Sequence, residues 1–244
     1  MSLVAAAVCP HPPLLVPQVG SGGSIVDEVR AAAIEAVRGL VAAGPQLVGV
    51  VGAGPQTSSF TPADSGSFRP FGVEMDVPLG PRACGGRASL PLSLTVGAWL
   101  LGQAGWQGER QAAAVSDAAT AGEAAQVGVQ VGRLAEQVAV LCMGDGSARR
   151  TEQAPGWLDE RAAPFDGAVA RALSTADTAA LLELDIALAR DLLVAGRAAW
   201  QALAGAAADA DPAGGWRARI SYDGAPFGVG YFVATWFLAD GAMP

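Results

Sequence analysis

A chain of 244 residues that is half apolar and only 16% charged has enough core-forming sequence for one domain over 1–244. Its net charge of −8 argues against a nucleic-acid surface, since Arg149 and Arg150 are the only adjacent basic pair in the second half. No apolar run approaches the roughly 20 residues of a membrane span, so no membrane partner is expected. Every basic side chain apart from His11 is arginine, and lysine and asparagine are absent. Their codons are AT-rich, so the Ala/Gly/Arg bias reads as that of a high-GC bacterial genome. Cys9, Cys84 and Cys142 lie far apart and form no CxxC pair, which fits a reducing cytoplasm. Leu3–Val8 is too short for the apolar region of a secretion signal and no basic residue precedes it, so a cytoplasmic protein is expected.

In chain order, Leu3–Val8 is an apolar run of the kind that forms a strand buried on both faces. Ser24 with Asp27 resembles a capping box, and Ile25, Val29, Ala33, Val37 and Leu40 follow at helical spacing. Gly44-Pro45 stops that helix. Leu47–Val51 is the next strand, parallel to the first by the right-handed crossover rule. Phe71–Val77 reads as a strand, Leu94–Gln103 as a helix and Gln111–Val115 as a strand. Thr120 and Glu123 make a second capping box for a helix running to about Glu136, and Val138–Met143 is a further buried strand. Phe165 to about Ala207 is helical with breaks near Ser174 and Gly196. Trp216–Tyr222 and Gly228–Phe237 close the chain as two strands joined across Asp223-Gly224. The expected fold is α/β, a mixed, largely parallel central sheet with helices on both faces in a single domain.

Ligands in open α/β sheets bind beyond the carboxyl ends of the strands. Three loops are expected there: Cys9-Pro10-His11-Pro12-Pro13, Gly52-Ala53-Gly54-Pro55 and Gly144-Asp145-Gly146-Ser147-Ala148-Arg149-Arg150. Prolines stiffen the first and remove amide donors. His11 is therefore either held for chemistry or satisfied by a backbone carbonyl in a rigid connection, and the residues alone leave both readings open.

A strand ending in a proline-flanked histidine, a second apolar strand ending near Gly-Pro, and a late Gly-Asp-x-Ser segment occur together here. Phe165-Asp166 then opens a helix. This combination resembles the catalytic subunits of the class III extradiol ring-cleavage dioxygenases and their Memo-like relatives, over nearly the whole chain. The resemblance implies a non-haem Fe(II) held by two histidines and a carboxylate, with open positions for O2 and a catecholate. It places His11 as the first metal ligand. It expects the second histidine where this chain has Gly52-Ala53-Gly54, and an acid/base histidine where it has Ala148. A positioned acid/base is worth about 10²–10⁴ in rate, and a methyl group cannot move a proton.

Cys9, Asp145 and Glu152 carry other donor atoms, and Cys9 with His11 would suit Cu or Zn. A buried cysteine is more often a small hydrophobe. Gly52-Ala53-Gly54 is not a dinucleotide fingerprint, because Thr57 stands where the third glycine belongs and no helix pattern follows. The Gly20–Gly23 stretch reads as a loop rather than an anion cradle. Ser147 lacks the flanking glycines of a nucleophile elbow. A Cys9–His11 nucleophile pair is interrupted by Pro10. Arg149 and Arg150 have the chemistry to clamp a carboxylate, though exposed arginines are the commoner case. The six tryptophans are scattered and read as packing residues.

The expectation is a dioxygenase-like protein that has lost iron-dependent ring cleavage. Its residual cleft, at Cys9, His11, Gly52, Ala53, Gly54, Asp145, Ser147, Ala148 and Arg149, would take a small aromatic or anionic ligand or a partner. On that expectation no cofactor is bound. One alternative is a metalloenzyme using Fe(II) or another divalent metal, with an altered ligand set around His11. A second is an interaction protein working as a homo-oligomer.

Overall fold

A computed structural model describes residues 2–20, 23–81, 88–211 and 213–238; Cys84 lies outside them. The strands are β1 (Ser2–Cys9), β2 (Leu47–Gly54), β3 (Ser58–Phe60), β4 (Ser65–Ser67), β5 (Asp76–Pro78), β6 (Glu109–Ser116), β7 (Gln137–Met143), β8 (Trp216–Gly224) and β9 (Tyr231–Leu238). The helices are α1 (Gly23–Ala42), α2 (Leu92–Gln103), α3 (Ala121–Gly132), α4 (Ala162–Thr175), α5 (Thr178–Leu182), α6 (Ile186–Asp191) and α7 (Arg197–Ala210).

The central sheet runs β3-β6-β2-β7-β1-β9-β8. Its four middle strands are parallel, and β3, β9 and β8 add antiparallel margins. The sheet is thus mixed and largely parallel, with helices on both faces. From Ala5 on, alternate residues of β1 feed opposite layers as a strand's two-residue period requires, and an irregularity between Leu3 and Ala5 puts Leu3 in the same layer as Ala6. Leu3, Ala6 and Val8 join the core under α3, α4 and α7, while Ala5, Ala7 and Cys9 join that under α1 and α2.

α1 buries Val26, Val29, Ala33, Val37 and Leu40 against the sheet. Ile25, expected on that stripe, is exposed, and Val26 takes its place. The Ser24–Asp27 box does not form, because the helix already includes Ser24 and Asp27 pairs with Arg30. The Thr120–Glu123 box does form: Glu123 N–H donates to Thr120 Oγ1 and Thr120 N–H to Glu123 Oε2. The helix it opens ends at Gly132 rather than near Glu136.

α2 is buried along Ser93–Leu101, because the sheet lies under it and the β4–β5 ribbon lies over it. Gly66 of β4 presses against Thr95 of α2. A helix covered on both sides shows no amphipathic stripe. The expected Phe71–Val77 strand is instead a 3-10 turn at Arg69–Phe71, a left-handed Gly72 and the short β5.

Candidate functional site

Because β1, β2 and β7 are parallel neighbours, their carboxyl ends converge. Gly144 N–H donates to Cys9 O at 3.0 Å, joining the first and third loops directly. His11 N–H donates to Asp145 Oδ1 at 2.8 Å. The His11 side chain is 11% exposed, and its Nδ1 sits 3.5 Å from the same carboxylate oxygen without a bonding geometry. Burial pushes the Asp145 carboxyl above the usual range, opposed by the charge and backbone N–H of His11. Tyr231 is pushed up as well, by burial and then by the charge of Asp145. His11 and Asp145 therefore form one largely buried polar cluster.

The Gly-Asp-Gly-Ser segment and the Phe165-Asp166 helix start are physically tied. Asp166, 1% exposed on α4, accepts from Ser147 N–H at 2.9 Å and from Arg150 Nη1 at 2.8 Å. Ser147 is fully buried and donates its hydroxyl to Leu192 O at 2.8 Å. Gly146 N–H donates to Gly230 O, and Gly230 N–H to Ser147 O. A Cβ on Gly146 would lie 2.9 Å from Asp166 Oδ1, and one on Gly230 would overlap the other carboxylate oxygen. Both glycines exist so that backbone can approach that carboxylate. The motif is a structural clamp: Ser147 has no free hydroxyl for attack, and Arg150 is committed to an internal carboxylate. Arg149 is half-buried, its Nε unbonded.

The structure also shows what fills the places where the resemblance expects histidines. A Cβ on Gly52 would stand 2.6 Å from Ser93 Oγ, whose hydroxyl donates to Ala53 O. α2 thus occupies the side-chain direction there. Ala148 offers a methyl group, with its backbone engaged by Leu192 O and Gly156 N–H. Cys9 does not face a cleft: its Sγ lies 3.8 Å from Ala33 O of α1, and burial keeps the thiol protonated. Glu152 is exposed. Among the described residues no three His, Cys, Asp or Glu side chains gather in a metal-holding arrangement. The donor set at His11 is one imidazole and one carboxylate. It does not fit the iron site of the resemblance.

One open cleft lies beside the end of β2, and His11 does not line it. It measures about 420 Å³ and is lined by Ala53 and Gly54 at the end of β2 with Pro55 just beyond it, Asp117 beyond β6, and residues of the segment from Ile186 to Ala198. Of the expected cleft residues, Ala53 and Gly54 line it, whereas Cys9, Gly52 and Ser147 are packed away. The sequence reading missed Asp117, Arg190, Leu193 and Arg197. The one local signal was the helix break at Gly196, which marks where the chain turns into the cleft. Among the described residues no helix is long and apolar enough to cross a membrane.

No family model and no curated protein matches the chain. Among solved structures it is similar to the uncharacterized protein JW3007 from Escherichia coli K12, with a TM-score of 0.57 and 12% identity over 96% of this chain and 99% of that chain. At that identity the likeness is one of fold.

Proposed function

We propose that this chain is a small-molecule-binding domain on the extradiol dioxygenase-like framework, without the family's iron-dependent ring cleavage. The observation that carries this reading is the division of the strand-end region. The polar cluster at His11 is packed and short of donors, while an open volume lies at Ala53 and Gly54, at the end of β2. Ligand pockets in α/β folds occur at such strand ends, and about 420 Å³ suits a compound of roughly one ring.

Anaerobic loading with Fe(II), on protein purified without a histidine tag, followed by oxygen and a panel of catechols, tests the loss of ring cleavage. The expected result is iron well below one equivalent and no ring-opened product. Stoichiometric iron with turnover abolished by His11→Ala would overturn the proposal.

A further inference from the structure

α7 begins at Arg197, and no side chain caps it. The first-turn N–H groups of any helix need acceptors from outside it, and the helix dipole favours an anion there. Val194, Arg197 and Ala198 line the cleft, so this amino end faces the open volume.

Arg197 provides an independent indication. The residue is 3% exposed, yet it forms no ion pair among the described residues. A guanidinium has five N–H donors. Nη1 donates to Ala119 O at 2.7 Å and to Gln201 Oε1 at 2.8 Å, and Nη2 donates to Asp117 O. Nε and the second Nη2 hydrogen have no acceptor among the described residues. Burying a guanidinium against neutral acceptors is costly, and here burial lowers its pKa. Asp117 opposes that shift, and the like charge of Arg190 adds to it.

Arg190 lies on the same wall, exposed and without an ion pair among the described residues. Against two guanidiniums the cleft sets one carboxylate, Asp117, which leaves one positive charge in excess. The rest of the wall is apolar: Ile186, Ala189, Leu193 and Val194. Leu193 has a φ of 55°, a conformation leucine rarely adopts, and its side chain is held partly exposed at the cleft. Gly156 makes room for it, since a Cβ there would lie 2.6 Å from Leu193 Cδ1.

We propose that this cleft binds a small organic monocarboxylate with an apolar body, its carboxylate on Arg197, Arg190 and the amino end of α7, and its body on Leu193 and Ile186. The proposal rests on the reading of the cleft as the ligand site and names the ligand class. A guanidinium with N–H groups left without acceptors suits a carboxylate, and the single excess charge suits a monoanion.

Titrations of the 15N-labelled full chain followed by amide resonances, with benzoate, benzamide and inorganic phosphate as probes, test it. Benzoate is expected to shift the Arg197, Ala198 and Ala199 amides and to bind at least about tenfold more tightly than benzamide or phosphate. Arg190→Ala, at an exposed position, should weaken benzoate about three- to tenfold with the amide spectrum otherwise preserved. Arg197→Gln should abolish the preference for benzoate over benzamide. If that variant fails to fold, Arg190→Ala carries the test. Equal binding of benzamide and benzoate, or unchanged benzoate affinity in Arg190→Ala, would overturn the anion assignment and leave the cleft reading standing. Phosphate binding as tightly as benzoate would overturn the role of the apolar wall. No shift at the cleft with any probe would overturn both this inference and the cleft reading.

Discussion

His11 keeps the place at the end of β1 that the resemblance gives a metal ligand, but its neighbour is the Asp145 carboxylate. The sign of the Asp145 shift makes a pH prediction. Its folded carboxyl holds a proton more tightly than in the unfolded chain, so its contribution to stability is full below about pH 4 and is lost as pH rises through the raised folded pKa. Asp145→Asn retains an oxygen for the His11 N–H and removes that loss. Urea unfolding across the acid-to-neutral range should show the variant gaining on the wild type as pH rises; a constant difference would contradict the raised pKa. Asp166 is also pushed up by burial, opposed by its bonds from Ser147 N–H and Arg150, and it calls for a different experiment because its two oxygens hold those two groups. Asp166→Ala is expected to cost about 2–4 kcal/mol in denaturant unfolding, below a fully buried pair because Arg150 is a quarter exposed. Asp166→Asn, which keeps an acceptor for Ser147, should lose less.

At the scale of elements, the crossing of α3 and α7 depends on missing side chains. A Cβ on Gly128 would overlap Ala202 O, and one on Gly205 would meet Ala125 Cα at 2.6 Å. The two helices therefore touch backbone to backbone. Gly128→Ala should cost about 1–3 kcal/mol by overpacking. Gly122→Ala, on the same helix with open space around it, should be neutral or gain up to about 1 kcal/mol from helix propensity. Thermal and urea unfolding of the pair separates packing from propensity; equal effects would contradict the close crossing. Elements were legible where periodicity ran long: β1, β2, β6 and β7 as apolar runs, and α3 from its Thr120–Glu123 box. The three-residue strands β3, β4 and β5 were not, since so short a run has no measurable period. Phe71–Val77 misled for a related reason: a positive φ at Gly72 breaks the chain in mid-run.

At the scale of the whole molecule, alternating strands and helices led to the α/β sheet, because each element's burial pattern is written locally. The single histidine likewise made it plain from composition that this chain cannot by itself supply a two-histidine site. Gly144-Asp145-Gly146-Ser147 with Phe165-Asp166 was readable as a unit, and its work as a clamp around one carboxylate became visible only in the fold. Tertiary structure decided that Ser93 fills the space beside Gly52, that Cys9 faces α1, and that the open cleft lies against the segment from Ile186 to Arg197. These outcomes depend on side chains far apart in sequence, such as Ala53 with Ser93 and Asp117 with Arg197, meeting across layers. Periodicity specifies which face of an element is buried; only packing specifies what it is buried against, and whether a gap remains.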